Sequence, residues 1–241
     1  MSKTTYKSNK TKTIVAVGLF SAFAYVCCVL FHFKASFLSF DLKDAVMTVG
    51  AMLFGPVYGF AMALIVGFIE FVTISSTGIY GLIMNVLSST VFICVGICIY
   101  SRKRTMTGAL IGMIASVISM TAVMMAANLV ITPFYMGVST ADVAAMIPTL
   151  LLPFNLTKGI FNAAIVFLIY KPISEAIRLA GFVSTTVSHK SEASIPTEST
   201  VHGGKRKLSS SYIITLAAAI IIAAAALVYF FVKLGGSFTI K

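Results

Sequence analysis

Charge is scarce in this chain, and acidic charge scarcest: 241 residues include seven Asp and Glu, and all charged residues together make up 10%. Hydrophobic residues make up 59%, and the mean hydropathy is +1.00. A soluble domain of this length cannot bury so much apolar surface, which excludes the ordinary globular class and leaves a polytopic, all-α membrane protein. The formal net charge of +11 does not reverse this. The basic residues stand in short clusters beside apolar spans, the pattern that encodes membrane topology, and not on one continuous face as a nucleic-acid surface requires.

Reactive constellations are missing too. There is no Ser-His-Asp grouping and no HExxH, and His32, His189 and His202 are isolated. The four cysteines, Cys27, Cys28, Cys94 and Cys98, all lie in apolar spans. Cys94 and Cys98 share a helix face, but no His or carboxylate accompanies them, so they read as small packing residues and not as metal ligands. Gly203-Gly204-Lys205 resembles a phosphate loop superficially, but Arg206 stands where Ser or Thr is needed and Ser199 where the first Gly should be. The chain therefore reads as neither an enzyme nor an ATPase, and no bound cofactor is expected.

Windows of about 20 apolar residues fall near 13–33, 79–100, 107–131, 147–171 and 212–232. The first is flanked by lysines like a signal peptide, but its apolar run is too long and lacks a small-residue cleavage site, so it reads as a retained helix. The region 42–76 would make one helix of about 50 Å, beyond a hydrocarbon core of about 30 Å. It is interrupted by Gly55-Pro56, a turn signal, and reads as a hairpin of two short spans.

Charge parity supports the hairpin. With a cytoplasmic N-terminus it places 13 of the 18 basic residues inside, the Arg102-Lys103-Arg104 cluster among them, and leaves Lys34, Lys43, Lys233 and Lys241 outside. The expected organisation is a basic cytoplasmic N-terminus (1–12), a six-helix membrane bundle (13–178), a flexible cytoplasmic linker (179–211), an additional helix (212–234) and a short tail (235–241). The linker is rich in Ser, Thr, Lys and Glu, a composition that cannot bury a core. The additional helix reads as an accessory anchor or partner-docking element. The protein is expected in the cell membrane, multi-pass, with its C-terminus outside.

The few polar residues of the spans are not scattered evenly. Asn85, Asn128, Asn155 and Lys158 fall at similar depth toward the outer leaflet. Singly, each Asn could do no more than tie two helices by a hydrogen bond of about 0.6 kcal/mol. An intramembrane Lys is a functional-site hypothesis by default, and with three amides at its level it points to a polar pocket. Asn155 and Lys158, three apart, share a helix face. Glu70 reads as hydrated near the outer interface, with pairing to Lys158 as the alternative. Asp41 and Asp44 read as helix N-terminal residues, with ligand contact as the alternative. Phe37, Phe40, Tyr80, Phe134 and Tyr135 read as an outer aromatic belt that could also cover a planar ligand. Gly18 and Ala22, and again Ala24 and Cys28, give small-xxx-small spacings that permit close helix approach.

Three segments carry a family resemblance over about residues 12–178: Phe37-Leu38-Ser39-Phe40-Asp41-Leu42-Lys43-Asp44, Phe54-Gly55-Pro56-Val57-Tyr58-Gly59 and Pro153-Phe154-Asn155-Leu156-Thr157-Lys158-Gly159. The chain resembles the substrate-binding S components of energy-coupling factor (ECF) vitamin transporters, and within them the riboflavin-specific subunits. The resemblance implies a six-helix bundle that captures riboflavin as transported ligand at the outer face. It also implies a transmembrane coupling protein and two cytoplasmic ATPases as partners, whose ATP hydrolysis topples the subunit to release vitamin inward. The ligand contacts it implies are Asn155, Lys158 and Asn128, joined on the bottom-up reading by Asn85, Phe40, Asp41 and Tyr80; it implies partner docking near Gly18 and Ala22. The seventh helix departs from the family pattern. Two alternatives stand beside this reading: another vitamin as ligand, or a structural or regulatory membrane protein with no small ligand.

Overall fold

Gly55, at φ 109°, breaks the apolar run between 42 and 76 into two helices, and Pro56 opens the second, where its missing N–H costs no hydrogen bond. These are α2 (Lys43–Phe54) and α3 (Pro56–Thr73). The hairpin is uneven: α3 is long enough to cross a membrane, whereas α2, at 12 residues, is about 18 Å long and buried from Lys43 to Leu53. The computed structural model that shows this describes residues 5–7, 10–75, 77–180, 182, 184–186, 210–235 and 237–238.

Around this hairpin stand α1 (Lys10–Leu30), α4 (Gly78–Arg102), α5 (Met106–Met136) and α7 (Leu152–Leu179), with α8 (Ser210–Lys233) outermost. The short α6 (Thr140–Met146) runs through one wide turn, Ile147–Leu151, into α7. Among the described residues, six helical segments are long and apolar enough to span a bilayer, and the protein is a multi-pass, all-α membrane protein.

The helices differ from expectation chiefly at their ends. The first stops at Leu30, and the chain then forms a hairpin of two strands, β2 (Phe33–Ala35) and β3 (Leu38–Phe40). α5 continues through Pro133 to Gly137, which closes it at φ 68° by donating its N–H to the Pro133 carbonyl (2.9 Å). Proline does not end the helix: one lost N–H costs less in an apolar setting than the several backbone groups that a helix end would leave unpaired. α7 likewise continues through Pro172.

Most of the core lies between α1, α2, α3, α4 and α5, built from Phe20, Met47, Met62, Phe92, Ile97, Met113 and Met120 among others. α4 and α5 approach closely enough that a Cβ on Gly112 would lie 2.7 Å from the Gly96 carbonyl oxygen. A second, aromatic cluster joins Phe40, Phe154 and Phe161 to one face of α8, where Ala219, Ala223, Ala226 and Phe230 are buried. The additional helix thus packs on the bundle, against α7.

Short strands tie the ends together. β1 (Thr5–Lys7) pairs with β4 (Ser184–Thr186), and β5 (Ser237–Phe238) with β2, so the tail shares an end of the bundle with the 33–40 hairpin. The hydropathy pattern predicts helices alone, so these short strands are an addition to the all-α reading. Most of the expected linker, 187–209, lies outside the described residues.

Candidate ligand-binding site

A cleft opens at the end of the bundle where the β2–β3 hairpin sits. The hairpin tip supplies Phe37, Leu38 and Ser39; α4 supplies Tyr80, Met84, Asn85 and Ser88; α5 supplies Asn128, Thr132 and Tyr135; α7 supplies Phe154, Asn155 and Lys158. About 90 Å³ of the cleft is deep enough to hold water-sized atoms, and about 660 Å³ is empty when its open mouth is counted. The three asparagines and the lysine expected to share one depth therefore share one cavity.

Each asparagine donates an amide N–H to the protein itself. Asn85 Nδ2 donates to Glu70 Oε1 (2.8 Å), Asn128 Nδ2 to the Met124 carbonyl (2.7 Å) and Asn155 Nδ2 to the Leu151 carbonyl (2.8 Å). The Asn128 oxygen accepts from the Thr132 hydroxyl (2.8 Å). This fixes the amide orientations. It presents the Asn85 and Asn155 oxygens as acceptors with no hydrogen-bond donor among the described residues.

Lys158 joins the cleft to an ion network beneath it. Its Nζ donates to Asp41 Oδ2 (3.2 Å) and the Ser39 carbonyl (3.4 Å), and lies 3.8 Å from Asp44 Oδ2. Lys43 pairs closely with Glu70 and lies 3.5 Å from Asp41 Oδ2. Ser89 donates to Asp44 (2.5 Å). Three carboxylates and two lysines are thus buried in contact. Such a set holds together because each charge has a partner, and removing one member leaves another stranded. In the loop before α2, burial pushes the Asp41 carboxyl up, and Lys158 and then Lys43 more than reverse it, drawing it down to about 2.

Several expectations change here. Lys43, counted among the outer-side charges, is 1% exposed inside the bundle. Glu70 is not hydrated at the interface: it is buried, and its partners are Lys43 and Asn85 and not Lys158. Asp44 does lie in the first turn of α2, but its carboxylate serves Ser89 and Lys158, and Leu42, at the cap position, makes no side-chain capping bond. Phe40 is fully buried in the aromatic cluster, 5.0 Å from the Phe161 ring, and does not line the cleft. Asp41 stands behind Lys158 and not in the cleft wall.

Of the outer aromatics, Tyr80, Tyr135 and Phe37 form a chain at the mouth, with ring centroids 6.4 and 6.3 Å apart, whereas Phe134 is 74% exposed. Gly18 and Ala22 lie on the exposed face of α1, and a Cβ at Gly18 would meet nothing within 4 Å. Ala24 and Cys28 face the core.

Asn162 was not singled out from sequence. Its Nδ2 donates to the Asp41 carbonyl (3.0 Å) and the Lys158 carbonyl (3.1 Å), and its Oδ1 accepts from the Ala45 N–H (2.9 Å), fastening the start of α2 to α7. The signal was available, because Asn155, Lys158 and Asn162 follow i, i+3, i+7 spacing on one helix face.

In the cleft, amide oxygens, one ammonium and aromatic rings converge, the kind of lining that suits holding a ligand with polar edges and a flat apolar body. A family model for the substrate-specific component of ECF transporters matches residues 12–170. The chain belongs to that family. Its function is accordingly that of a transporter component and not of an enzyme. Among curated relatives of this S component, the riboflavin transporter RibU of Staphylococcus aureus (strain TCH60) is 28% identical over 183 residues, covering 72% of this chain and 93% of the relative. The riboflavin transporter FmnP of Bacillus subtilis (strain 168) is 26% identical over 186 residues, covering 71% and 98%. The solved structure of the S component of a bacterial ECF transporter superimposes with a TM-score of 0.61 at 24% identity, covering 70% of this chain and 99% of that one, which shows a common fold.

Proposed function

We propose that this S component captures riboflavin at the outer face of the cell membrane and delivers it inward within an ATP-driven ECF uptake transporter. The observation that carries this is the convergence of Asn85, Asn128, Asn155 and Lys158 under a rim of Phe37, Tyr80 and Tyr135. A flavin is planar and amphipathic. Its ring system suits stacking on the aromatic rim, and its imide edge and ribityl hydroxyls suit amide acceptors and a lysine donor. The names of the two curated relatives support the same ligand.

Energy for release comes, on this proposal, from two cytoplasmic ATPases acting through a transmembrane coupling protein that docks on the exposed small-residue face of α1 around Gly18 and Ala22. The chain has no phosphate loop of its own, and its basic clusters favour a cytoplasmic N-terminus and an outer C-terminus.

The test is the visible absorption of the purified protein, followed by titration of riboflavin fluorescence, a clean readout because the chain contains no Trp. A yellow preparation, or saturable quenching at nanomolar protein, is the expected result. A folded, colourless protein that leaves flavin fluorescence unchanged overturns the ligand, and competition among unlabelled vitamins then identifies the replacement.

A further inference from the structure

The β2–β3 hairpin carries three cleft residues, Phe37, Leu38 and Ser39, yet its strands are only three residues each. A two-stranded hairpin of this size is marginal on its own. Its tip adds strain, since Ser36 sits in the left-handed region at φ 56°. Support must come from outside.

It comes from α8 and the tail that follows it. Phe230 is fully buried, its ring 4.6 Å from that of Phe40 on β3 and 6.3 Å from that of Phe33 on β2. On its other side it meets Phe154 of the cleft wall, also at 6.3 Å. Phe231 makes an edge contact with Phe33 at 5.4 Å. The chain then turns at Gly235, φ 63°, and Ser237 and Phe238 pair with Lys34 and Phe33. Both strands of the hairpin are therefore gripped, one by side-chain packing and one by packing and backbone pairing together. The gripping element starts at Ser210, beyond the 12–170 region common to the family.

We propose that α8 and β5 are a clamp that holds the β2–β3 hairpin closed over the cleft. Its consequence for ligand exchange rests on the ligand reading above, but the position of the hairpin can be measured without any ligand.

The experiment is amide hydrogen exchange on the full chain in detergent, comparing the unaltered protein with Phe230→Ala and, separately, Ser237→Pro, which removes a backbone N–H from β5 and leaves the helix packing intact. Exchange across residues 33–40 should accelerate at least tenfold in both variants, with α3 and α4 unaffected. Riboflavin should also dissociate at least tenfold faster from both. Unchanged exchange across 33–40 overturns the clamp, whatever the ligand does. Faster exchange with an unaltered dissociation rate confines the clamp to structure and overturns its control of ligand release. A protein that binds no riboflavin defeats the ligand reading alone, because the exchange measurement still decides the clamp. Should Phe230→Ala fail to fold, Ser237→Pro, placed in the tail, carries the decision.

Discussion

Lys43 and Glu70, 27 positions apart in the chain, meet as an ion pair inside the bundle, with Lys43 1% exposed and Glu70 3%. The pair joins the first residue of α2 to the last turn of α3, and through Asn85 it reaches the cleft wall. Replacing one partner strands the other. Lys43→Met should lower stability by about 3–5 kcal/mol, read as a fall in the thermal midpoint in detergent, whereas Lys43→Met combined with Glu70→Leu should recover a large part of it. A double variant as unstable as the single one would show that the pair is not the source.

Asn155→Ala and Lys158→Ala should each weaken riboflavin binding at least tenfold, about 1.4 kcal/mol, in fluorescence titrations of folded protein. Lys158→Ala should also lower stability, since Asp41 loses a partner at 3.2 Å; Asn155→Ala leaves only one backbone carbonyl without its side-chain donor. Unchanged affinity in a folded double variant would remove these residues from the site.

Asn162→Ala tests the tie between α2 and α7. It strips partners from the Ala45 N–H and the Asp41 carbonyl, both buried, and should cost about 1–3 kcal/mol in thermal stability. Asn162→Asp keeps the acceptor for Ala45 but sets a fourth carboxylate among Asp41, Asp44 and Glu70, and should be worse than Ala. An Asp variant more stable than Ala would mean that the network tolerates added negative charge.

Two glycine substitutions should part company. Gly112→Ala drives a methyl toward the Gly96 carbonyl and should destabilise by about 1–3 kcal/mol. Gly18→Ala meets no neighbour and should leave the thermal midpoint of the isolated protein unchanged. On the proposed function, a bulkier Gly18→Leu should leave flavin binding intact and reduce ATP-dependent uptake, which vesicle transport assays would detect.

The parts legible from sequence were those signalled locally. Gly55-Pro56 announced the break between α2 and α3, and Asn155 with Lys158 marked a polar helix face by spacing alone. What escaped was pairing between distant positions. Lys43 reads as an outer charge until Glu70 is placed beside it, and Asp44 reads as a dipole partner until Ser89 and Lys158 claim its carboxylate. The hairpin at 33–40 was missed because two three-residue strands carry too little alternation to stand out from a loop. Phe40, an exposed-looking aromatic next to a polar cluster, is drawn inward because α8 completes an aromatic core around it. No local signal foretells where a helix more than 150 residues away will pack.

The length of α5 has its own consequence. At 31 residues it is about 46 Å long, roughly 16 Å more than a hydrocarbon core. Just before it stands the Arg102-Lys103-Arg104 cluster, which the pattern of basic residues sets at one interface; with the helix along the bilayer normal, the surplus falls at the opposite end. That end carries Asn128, Thr132 and Tyr135. On that placement the cleft mouth would lie at the level of lipid headgroups and water rather than in hydrocarbon. A polar solute could reach it by diffusion through solvent, without partitioning into the bilayer first.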